Sequence, residues 1–396
     1  MTLLSPPRSR PALIEAFTAP QGFGDQTLRD RRADAIELLG GIPDSSVLPS
    51  AELAEATARV LGRAGAPSLQ YSRTEGIPAL REWIAAHEGV PVERVLVTNG
   101  GFHGLAIAVQ TVLERGDLVA VDNPVFPLFL RGLQLADARV LPIRVGADGL
   151  DVDALASELR AGARPAAVYT VPEFHNPSQS SLPTARRREL VELAEKYGFV
   201  VFADDPYREL RFHGEPESLA PFHDSDHVIH VNTFTKTLGP GLRLGWVVLP
   251  ERLIPDAVAL RSRQDGHSST FVQAVVAELL TSDTGLFPRV LGAARELYRS
   301  RAHALADALS ASGFFDVTVP DGGLFLWPRL TDDSLDADRL AADASAEGVE
   351  YQRGSFFPSG PGTDADRHLR LAYGDTSEEL LLEAAARLTR AVARQR

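Results

Sequence analysis

The sequence predicts an α/β fold: a mostly parallel seven-stranded sheet with helices on both faces, plus a smaller α+β domain. Short apolar runs bounded by turn residues alternate with helical patterns from about Arg94 onward. That alternation is typical of a parallel sheet covered on both faces. After Glu251 the pattern changes to long helical stretches and a few short strands, which predicts the second domain.

Seven apolar runs define the predicted strands. They are Arg94–Thr98, Leu118–Asp122, Arg139–Arg144, Ala166–Val171, Phe199–Ala203, Val228–Thr233 and Leu244–Leu249. The clearest helix between them spans Thr184–Tyr197, with apolar residues on one face and Gly198 as its stop signal. The link from Thr233 to Leu244 is about as short as the shortest helical crossover and holds Gly239-Pro240-Gly241. The last strand is therefore expected to be antiparallel.

The second domain is predicted from the pattern after residue 285. A long helix is expected from about Phe287 to Ser310 and a closing helix over Ser377–Arg394. Short strands are expected near Val317, at Leu324–Trp327 and at Leu369–Tyr373. We assign residues 1–35 to an N-terminal arm, 50–285 to the large domain, and 36–49 with 286–396 to the small domain.

Composition narrows the class of protein. The chain has 396 residues, a formal net charge of −13 and no cysteine, which excludes disulfides, thiolate nucleophiles and cysteine zinc sites. An acidic chain is a poor match for nucleic-acid backbones. No stretch approaches the roughly 18 apolar residues of a membrane helix, and Met1–Arg10 lacks the pattern of a signal peptide. We expect a cytoplasmic protein that binds neither nucleic acid nor membrane.

Lysine usage singles out one residue. Lysine occurs only at Lys196 and Lys236, so 38 of the 40 basic residues are arginine. Arginine cannot lose its proton in proteins and cannot replace a lysine that must form an imine. Lys196 falls in the last turn of a predicted helix, where a cation is favoured without any function. Lys236 lies in a Thr- and Gly-rich loop, where its retention favours a functional amine.

Polar and glycine-rich segments follow five of the predicted strands. Ligands of open α/β sheets bind at the carboxyl ends of the strands, so these segments are expected to converge on one site. They are Asn99-Gly100-Gly101-Phe102, Asn123-Pro124-Val125-Phe126, Pro172-Glu173-Phe174-His175-Asn176-Pro177, Asp204-Asp205-Pro206-Tyr207, and Phe234-Thr235-Lys236-Thr237 with Arg243.

Each segment taken alone also has a purely structural explanation. Gly100-Gly101 can be a tight turn, and Phe126 can be a core residue. Asp204-Asp205 can cap a helix or bind a metal. The spacing of His223, His227 and His230 is loosely metal-like, but these residues fall in a polar linker and at a strand start, so we predict no metal site.

The segments together resemble the pyridoxal-phosphate (PLP) aminotransferases of class I/II, fold-type I. Residues Thr233–Gly245 look like the lysine segment of that family, Asp204-Asp205-Pro206-Tyr207 like its Asp-x-x-Tyr element, and Asn176-Pro177 like its Asn-Pro turn. Further matches are Gln70-Tyr71, Gly76, Leu80-Arg81, Gly322–Trp327 and Leu369-Arg370-Leu371. The resemblance runs from about Gly40 to the end of the chain. It is closest to the branch with aminoadipate and aromatic aminotransferases and the enzyme-like domains of MocR-type regulators.

The resemblance implies the cofactor, PLP, and three catalytic residues. Lys236 would hold the cofactor as an imine and move the proton as general acid and base. Asp204 would pair with the ring N–H and keep the ring an electron acceptor. Tyr207, with Asn176, would hydrogen-bond the ring hydroxyl.

The remaining implied contacts are to the ring face, the phosphate and the substrate. Phe126 would stack on the ring, and the phosphate would take the helix N-terminus and nearby polar side chains. Arg370 would bind the substrate carboxylate, with Gly41 and Asn176 beside it. Tyr71 and a hydroxyl near Ser269 or Thr270 would come from a partner subunit, which makes the site a property of a homodimer. The implied phosphate-side residues are Gly100, Gly101, Phe102, Thr233, Thr235 and Arg243.

Three departures from the family pattern surround the substrate pocket. The Asn-Pro turn continues as Ser178-Gln179-Ser180 without glycine, Phe126 stands where tyrosine is common, and Gly101-Phe102 replaces a Ser-Gln type of pair. The predicted reaction is amino transfer between an α-amino acid and an α-keto acid. A tailoring reaction on the same fold (cyclisation, elimination or decarboxylation) is the alternative, and a cofactor-sensing regulator a remote one. Arg73 and Arg353 are open possibilities for a second carboxylate site.

Overall fold

The computed structural model describes residues 14, 23, 34–63 and 65–395. The N-terminal arm expected over residues 1–35 therefore lies almost wholly outside the described residues. In chain order the strands are β1 (Ile36–Leu38), β2 (Val95–Thr98), β3 (Leu118–Asn123), β4 (Arg139–Gly146), β5 (Gly149–Leu150), β6 (Ala167–Thr170), β7 (Val200–Asp204), β8 (Val228–Thr233), β9 (Gly245–Val248), β10 (Phe315–Asp316), β11 (Phe325–Leu326), β12 (Arg329–Leu330), β13 (Val349–Arg353) and β14 (Leu369–Ala372).

The helices of the described residues surround these strands. They are α1 (Ser50–Arg63), α2 (Pro78–Glu88), α3 (Gly101–Val112), α4 (Pro127–Leu135), α5 (Val152–Arg160), α6 (Thr184–Tyr197), α7 (Ala220–His223), α8 (Ile254–Gln264), α9 (Thr270–Ser282), α10 (Leu286–Ala311), α11 (Ala337–Ala346) and α12 (Glu378–Ala393). Helix α6 ends as predicted at Gly198, which adopts the left-handed conformation.

The large sheet confirms the predicted fold class. Its strand order is β2-β9-β8-β7-β6-β3-β4-β5, and the pairs from β8 through β7, β6 and β3 to β4 are parallel. Strand β9 is antiparallel to both β2 and β8, which confirms the expectation from the short Gly-Pro-Gly link. The sheet has eight strands rather than seven, because the two-residue β5 forms a hairpin with β4 and is too short for a periodicity signal.

Side-chain alternation divides the sheet into two buried faces. Val168, Val201 and Ala203 pack against α5 and α6. Tyr169 and Phe202 face the other core, which includes residues of α3 and α4. Because successive side chains of a strand point to opposite faces, Asp204 lies on the same face as Phe202 and Tyr169. Asp205, the next residue, lies on the opposite face.

The second sheet lies outside the large one and includes the early strand β1. Its order is β1-β13-β14-β11, with β1 parallel to β13 and β13 antiparallel to β14. The predicted helices over Phe287–Ser310 and Ser377–Arg394 correspond to α10 and α12. The structure adds α11, β12 and β13, which the sequence pattern does not predict, and the strand expected near Val317 lies slightly earlier, since β10 ends at Asp316.

Among the described residues, no helix is long and apolar enough to cross a membrane. The longest, α10, spans Leu286–Ala311 and buries one face against the core. The rest of its surface carries charged residues such as Arg295, Glu296 and Arg299. Arg299 Nη2 lies 2.7 Å from Glu296 Oε1.

One glycine allows strand β9 to pass directly behind the start of helix α3. A Cβ atom placed on Gly245 would lie 2.7 Å from the Asn232 carbonyl oxygen, 2.8 Å from the carbonyl carbon of Gly100 and 2.9 Å from the nitrogen of Gly101. All three neighbours are backbone atoms, so none can rotate away. The close approach fixes the Gly100–Gly101 turn against the sheet.

Gly245→Ala is expected to lower the free energy of unfolding by about 1–3 kcal/mol, because the added methyl group forces backbone atoms apart. Gly241→Ala is the matched control, since a Cβ atom there meets nothing within 4 Å and should change stability by no more than about 0.5 kcal/mol. Urea denaturation of both variants provides the comparison. Equal stability of the two variants would contradict the close approach.

Candidate active site

The polar segments predicted to converge do meet, around one cavity at the carboxyl edge of the large sheet. The cavity has a volume of about 150 Å³. Three charged side chains line it together with aromatic rings, hydroxyls and an amide. The lining residues are Gly101, Phe102, Leu105, Phe126, Val171, Asn176, Asp204, Pro206, Tyr207, Thr233, Thr235, Lys236 and Arg243.

Lys236 presents its amine to this cavity from a short 3-10 turn after β8. The turn spans Phe234–Lys236, and Thr233 caps it by accepting the N–H of Thr235. The Nζ atom donates to the carbonyl oxygen of Gly41 at 2.6 Å and lies 5.8 Å from the centre of the Tyr207 ring. Burial, together with the positive charge of Arg370, lowers the pKa of Lys236 to about 8, while the charge of Asp204 acts in the opposite direction. Part of the amine is thus neutral near physiological pH, as a nucleophile requires.

Asp204 supplies a buried carboxylate at the end of β7. Its Oδ2 accepts a 2.9 Å hydrogen bond from the hydroxyl of Tyr169. Burial raises the pKa of Asp204 to about 7, and the neighbouring Asp205 charge also raises it, whereas the Tyr169 hydrogen bond and Lys236 act in the opposite direction. A carboxylate held in this way gains from a cationic N–H partner in the cavity.

Tyr207 lies three residues beyond Asp204 and is buried beside the cavity. Burial raises the pKa of its phenol, while a hydrogen bond with the Asn176 side chain lowers it. Its ring packs edge-on against Phe325, with centroids 5.7 Å apart. The phenol therefore stays protonated and can donate to an oxygen in the cavity.

An anion-binding corner forms where α3 begins. Gly100 precedes the helix with φ = 86°, and no side chain caps the first turn, so its N–H groups are free to bind an anion. The hydroxyls of Thr233 and Thr235 are 2.8 Å apart. Arg243 Nη2 donates to the Asn99 carbonyl at 3.1 Å and would lie 2.9 Å from a Cβ atom on Gly100. Helix dipole, hydroxyls and guanidinium together suit a phosphate group.

Arg370 is buried and does not itself line the cavity, but it hydrogen-bonds Asn176, which does. It lies on β14, and its Nη1 donates to Asn176 Oδ1 at 3.0 Å while its Nη2 donates to the Leu39 carbonyl. Burial lowers the pKa of Arg370 to about 10, and the group keeps its charge at neutral pH. Gly41, predicted beside it, contributes the carbonyl that binds Lys236.

Some predicted residues lie away from the cavity. Tyr71 is 93% exposed and packs edge-on against His267. Ser269 caps α9 by accepting the N–H of Val272, and the buried hydroxyl of Thr270 has no hydrogen-bond partner in the part of the chain that the structure describes. Arg353 pairs with Asp338 at 3.2 Å, and Arg73 is exposed.

Lys196 and the histidines also have structural partners. Lys196 lies over the ring of Tyr197 in the last turn of α6. His223 Nε2 is 3.1 Å from His230 Nδ1, and Glu88 lies 3.8–3.9 Å from both. Both oxygens of Glu88 accept hydrogen bonds from protein groups, one from Trp246 and one from Arg208.

Several residues of the site had no signal that would single them out in the sequence. Tyr169 sits inside an apolar strand, and Phe357 looks like an ordinary core residue. Phe325 falls in the Gly322–Trp327 segment that matched the family, but the match gave it no role. The rings of Phe23, Phe325 and Phe357 surround Arg370, whose Cζ lies 4.3 Å from the Phe325 centroid, 5.1 Å from that of Phe23 and 5.4 Å from that of Phe357. Their role depends on contacts between distant parts of the chain.

Gln179 lies in the turn that lacks the glycine usual in the family, and it adopts a conformation that favours glycine. Its φ is +66°, in the left-handed region, which costs a side-chain-bearing residue about 1 kcal/mol. Its N–H donates to the His175 carbonyl at 2.6 Å, and the hydroxyl of Ser178 is 2.8 Å from His175 Nδ1. The turn thus keeps its shape without glycine, stabilised by its own polar groups.

The residues around the cavity fit the cofactor that the sequence implied. PLP carries a phosphate, a ring nitrogen and an aldehyde, and the cavity offers an anion-binding corner, a buried carboxylate and a lysine amine for these three groups. An aromatic ring, Phe126, lines the cavity as well.

Comparison with known proteins agrees with the chemistry of the cavity. The profile of the aminotransferase class I and II family matches residues 36–388. A 2-aminoadipate transaminase of Thermus thermophilus is 34% identical over 370 residues, covering 91% of both chains. An aromatic-amino-acid aminotransferase of Thermococcus litoralis is 29% identical, covering 91% of this chain and 88% of the relative. An α-aminoadipate aminotransferase from Thermus thermophilus, solved with N-(5'-phosphopyridoxyl)-L-leucine, superposes with a TM-score of 0.83 at 32% identity, covering 94% and 96% of the two chains.

The chain belongs to the class I and II aminotransferases. It is a PLP-dependent enzyme that moves an amino group between an α-amino acid and an α-keto acid.

Lys236→Ala is expected to remove covalently bound cofactor and to lower turnover by at least ~10³-fold, since it deletes both the attachment point and the acid–base group. Borohydride reduction of the wild-type holoenzyme, followed by peptide mass mapping, should label Lys236 alone. Lys196→Ala serves as the control and should retain label and activity. Label on Lys196, or activity near wild type in Lys236→Ala, would refute the assignment.

Proposed function

We propose that this aminotransferase is a cytoplasmic homodimer in which Lys236, Asp204 and Tyr207 are the catalytic residues. The supporting observation is the convergence of a buried amine, a buried carboxylate and an anion-binding corner on one cavity. Residues 50–285 form the proposed large domain, and residues 36–49 with 286–396 the small one. When bound, PLP would supply an electron-accepting ring and an aldehyde group that can take up the amino group.

Lys236 has two tasks in this proposal. Its neutral amine would attach the cofactor, and Nζ would accept the proton from the substrate Cα and later give it back as a general acid. The Gly41 carbonyl, 2.6 Å from Nζ, orients the amine. A pKa of about 8 leaves the group able both to accept and to give a proton near neutral pH.

Asp204 and the anion-binding corner hold the cofactor at opposite ends. Asp204 would accept a hydrogen bond from the ring N–H and so favour a protonated ring nitrogen. The phosphate would be bound by Thr233, Thr235, Arg243 and the first N–H groups of α3. Tyr207 and Asn176 would hydrogen-bond the ring hydroxyl, and Phe126 would lie against the ring.

Arg370 binds the α-carboxylate of the substrate. Its guanidinium already has two acceptors, Asn176 Oδ1 and the Leu39 carbonyl, which fix its plane. Its Nε has no partner among the described residues. A planar, immobilised fork suits bidentate binding of a carboxylate. Amino and keto substrates share this carboxylate, so one residue can serve both halves of the reaction.

The homodimer is supported by Tyr71. A tyrosine that is 93% exposed is unusual on the surface of a monomer, and Leu69 beside it is 66% exposed. Family resemblance implies that this segment crosses to the partner subunit and that Tyr71 reaches the phosphate there. Each site would then contain residues of both chains.

Mixing two inactive variants tests the shared site. Tyr71→Ala and Lys236→Ala homodimers carry defects from different chains, so mixed dimers contain one site with neither change and should recover activity in roughly a quarter of all sites. Lys236→Ala mixed with Asp204→Asn is the control, because both residues come from the same chain and no intact site can form. Recovery in the control, or an active monomer by light scattering, would contradict the proposal.

We further propose that the preferred amino donor has an apolar or aromatic side chain. The rings of Phe23, Phe325 and Phe357 surround the Arg370 guanidinium, and Phe23 also packs edge-on against Phe126, with centroids 5.9 Å apart. Apolar walls beside the carboxylate site favour burial of an apolar side chain. Arg353, one candidate for a second carboxylate site, is already paired with Asp338.

The half-reaction with single amino acids tests both the reaction class and the substrate preference. Phenylalanine, tyrosine and leucine should each convert the bound cofactor stoichiometrically to pyridoxamine phosphate, at least ~10-fold faster than aspartate, glutamate or 2-aminoadipate. Adding a keto acid should reverse the change. Absorbance and mass spectrometry follow the cofactor.

Two results would contradict this prediction. Repeated turnover of one amino acid without a keto acid would indicate a tailoring reaction. Faster reaction with a dicarboxylic acid, abolished by Arg73→Ala, would show that the exposed Arg73 binds a second carboxylate.

A further inference from the structure

Tyr169 is a buried polar residue for which the proposed chemistry gives no direct role. It lies on β6, which pairs with β7. Tyr169 is opposite Phe202 of β7, and Asp204 lies two residues further along that strand. The Tyr169 hydroxyl donates to Asp204 Oδ2 at 2.9 Å, and Tyr169 has no exposed surface. Among the described residues, it is the one hydrogen-bond donor to this carboxylate in the structure.

The Tyr169 ring cannot easily turn away from Asp204. It stacks on Phe129 of α4 with centroids 3.6 Å apart and planes 10° from parallel. Burial, together with the negative charge of Asp204, raises the pKa of the phenol well above its ordinary value. The hydroxyl is therefore always protonated in the working pH range and acts as a fixed donor.

Asp204 needs such a donor because its surroundings favour the neutral acid. Burial and the Asp205 charge both raise its pKa, while the charges of Lys236 and His230 lower it along with the Tyr169 hydrogen bond. Attachment of the cofactor to the Lys236 amine would change the charge that lowers the pKa of Asp204. The Tyr169 hydrogen bond remains in every step.

We infer that Tyr169 is a positioning residue that holds Asp204 as a carboxylate, with Oδ1 directed to the cofactor ring nitrogen, and so keeps the proton on that nitrogen. The inference rests on the proposed role of Asp204. By occupying Oδ2, the phenol leaves Oδ1 for the ring N–H. By stabilising the ionised form, it opposes transfer of the ring proton to Asp204.

Tyr169→Phe tests the inference because it removes the hydroxyl and preserves the ring that packs on Phe129. Holoenzyme reconstituted with ¹⁵N-ring-labelled PLP reports the protonation of the ring nitrogen directly by NMR. In Tyr169→Phe the signal should move from the protonated towards the neutral pyridine position. The loss of a hydrogen bond to a charged group should lower kcat by about 10- to 100-fold with little change in KM.

Tyr298→Phe is the matched control. Tyr298 is equally buried, and its hydroxyl accepts the Asp44 N–H, away from the cavity. This variant loses a buried hydroxyl yet should keep the wild-type ¹⁵N signal and kcat. Unfolding midpoints of the two variants distinguish a general loss of stability from an effect on the ring nitrogen.

Two further variants make every outcome decisive. Asp204→Asn should abolish the protonated signal; an unchanged signal there would overturn the role of Asp204 itself. A changed signal in Asp204→Asn with an unchanged signal and kcat in Tyr169→Phe would overturn the role of Tyr169 alone. If Tyr169→Phe does not fold, 3,5-difluorotyrosine at position 169, a more acidic donor, should move the signal further towards the protonated position, and a move towards neutral pyridine would refute the inference.

Discussion

Parallel pairing of β3, β6, β7 and β8 is the constraint on which the site depends. It brings the carboxyl ends of these strands to one edge, so the segments that follow them meet although they are far apart in the chain. Asp204 ends β7, and Lys236 comes three residues after β8 ends. A one-residue slip between β7 and β8 would turn Asp204 to the face that Asp205 now occupies. The register of buried aliphatic strands thus decides which carboxylate reaches the cavity.

Burial of several charges in one place has a free-energy cost that the site offsets with specific partners. Lys236 donates to the Gly41 carbonyl, and Arg370 to Asn176 and the Leu39 carbonyl. Two of these three partners belong to the segment that follows β1, which pairs with the small sheet. The site therefore depends on contact between the segment around β1, the small sheet and the large sheet. The same burial lowers the pKa of Lys236 and raises that of Asp204, so structural cost and chemical reactivity have one cause.

Behind the cavity, further buried charges support the loops that line it. Glu173 pairs with Arg187 at 2.9 Å and with Arg211 at 2.7 Å, which anchors the turn leading to Asn176. On the opposite face of β7, Asp205 Oδ2 lies 3.2 Å from His230 Nε2. The two adjacent aspartates thus have separate roles, because alternation along the strand sends one to the cavity and the other to a structural network.

The sequence by itself determined the strand–helix alternation, the antiparallel last strand and most of the residues around the cavity. Those features rest on local signals: the spacing of apolar residues, the positions of turn residues, and a lysine in a loop of a chain whose basic residues are almost all arginine. It did not determine β5, β12, β13 or α11, whose patterns are too short or too polar. Only the tertiary structure decided that Tyr169 bonds Asp204, that aromatic rings surround Arg370, and that Glu88 joins His223 and His230. Most of these contacts join residues 35 or more positions apart, and Glu88 and His223 are 135 apart. The order of residues along the chain carries no information about such contacts until the sheet register is fixed.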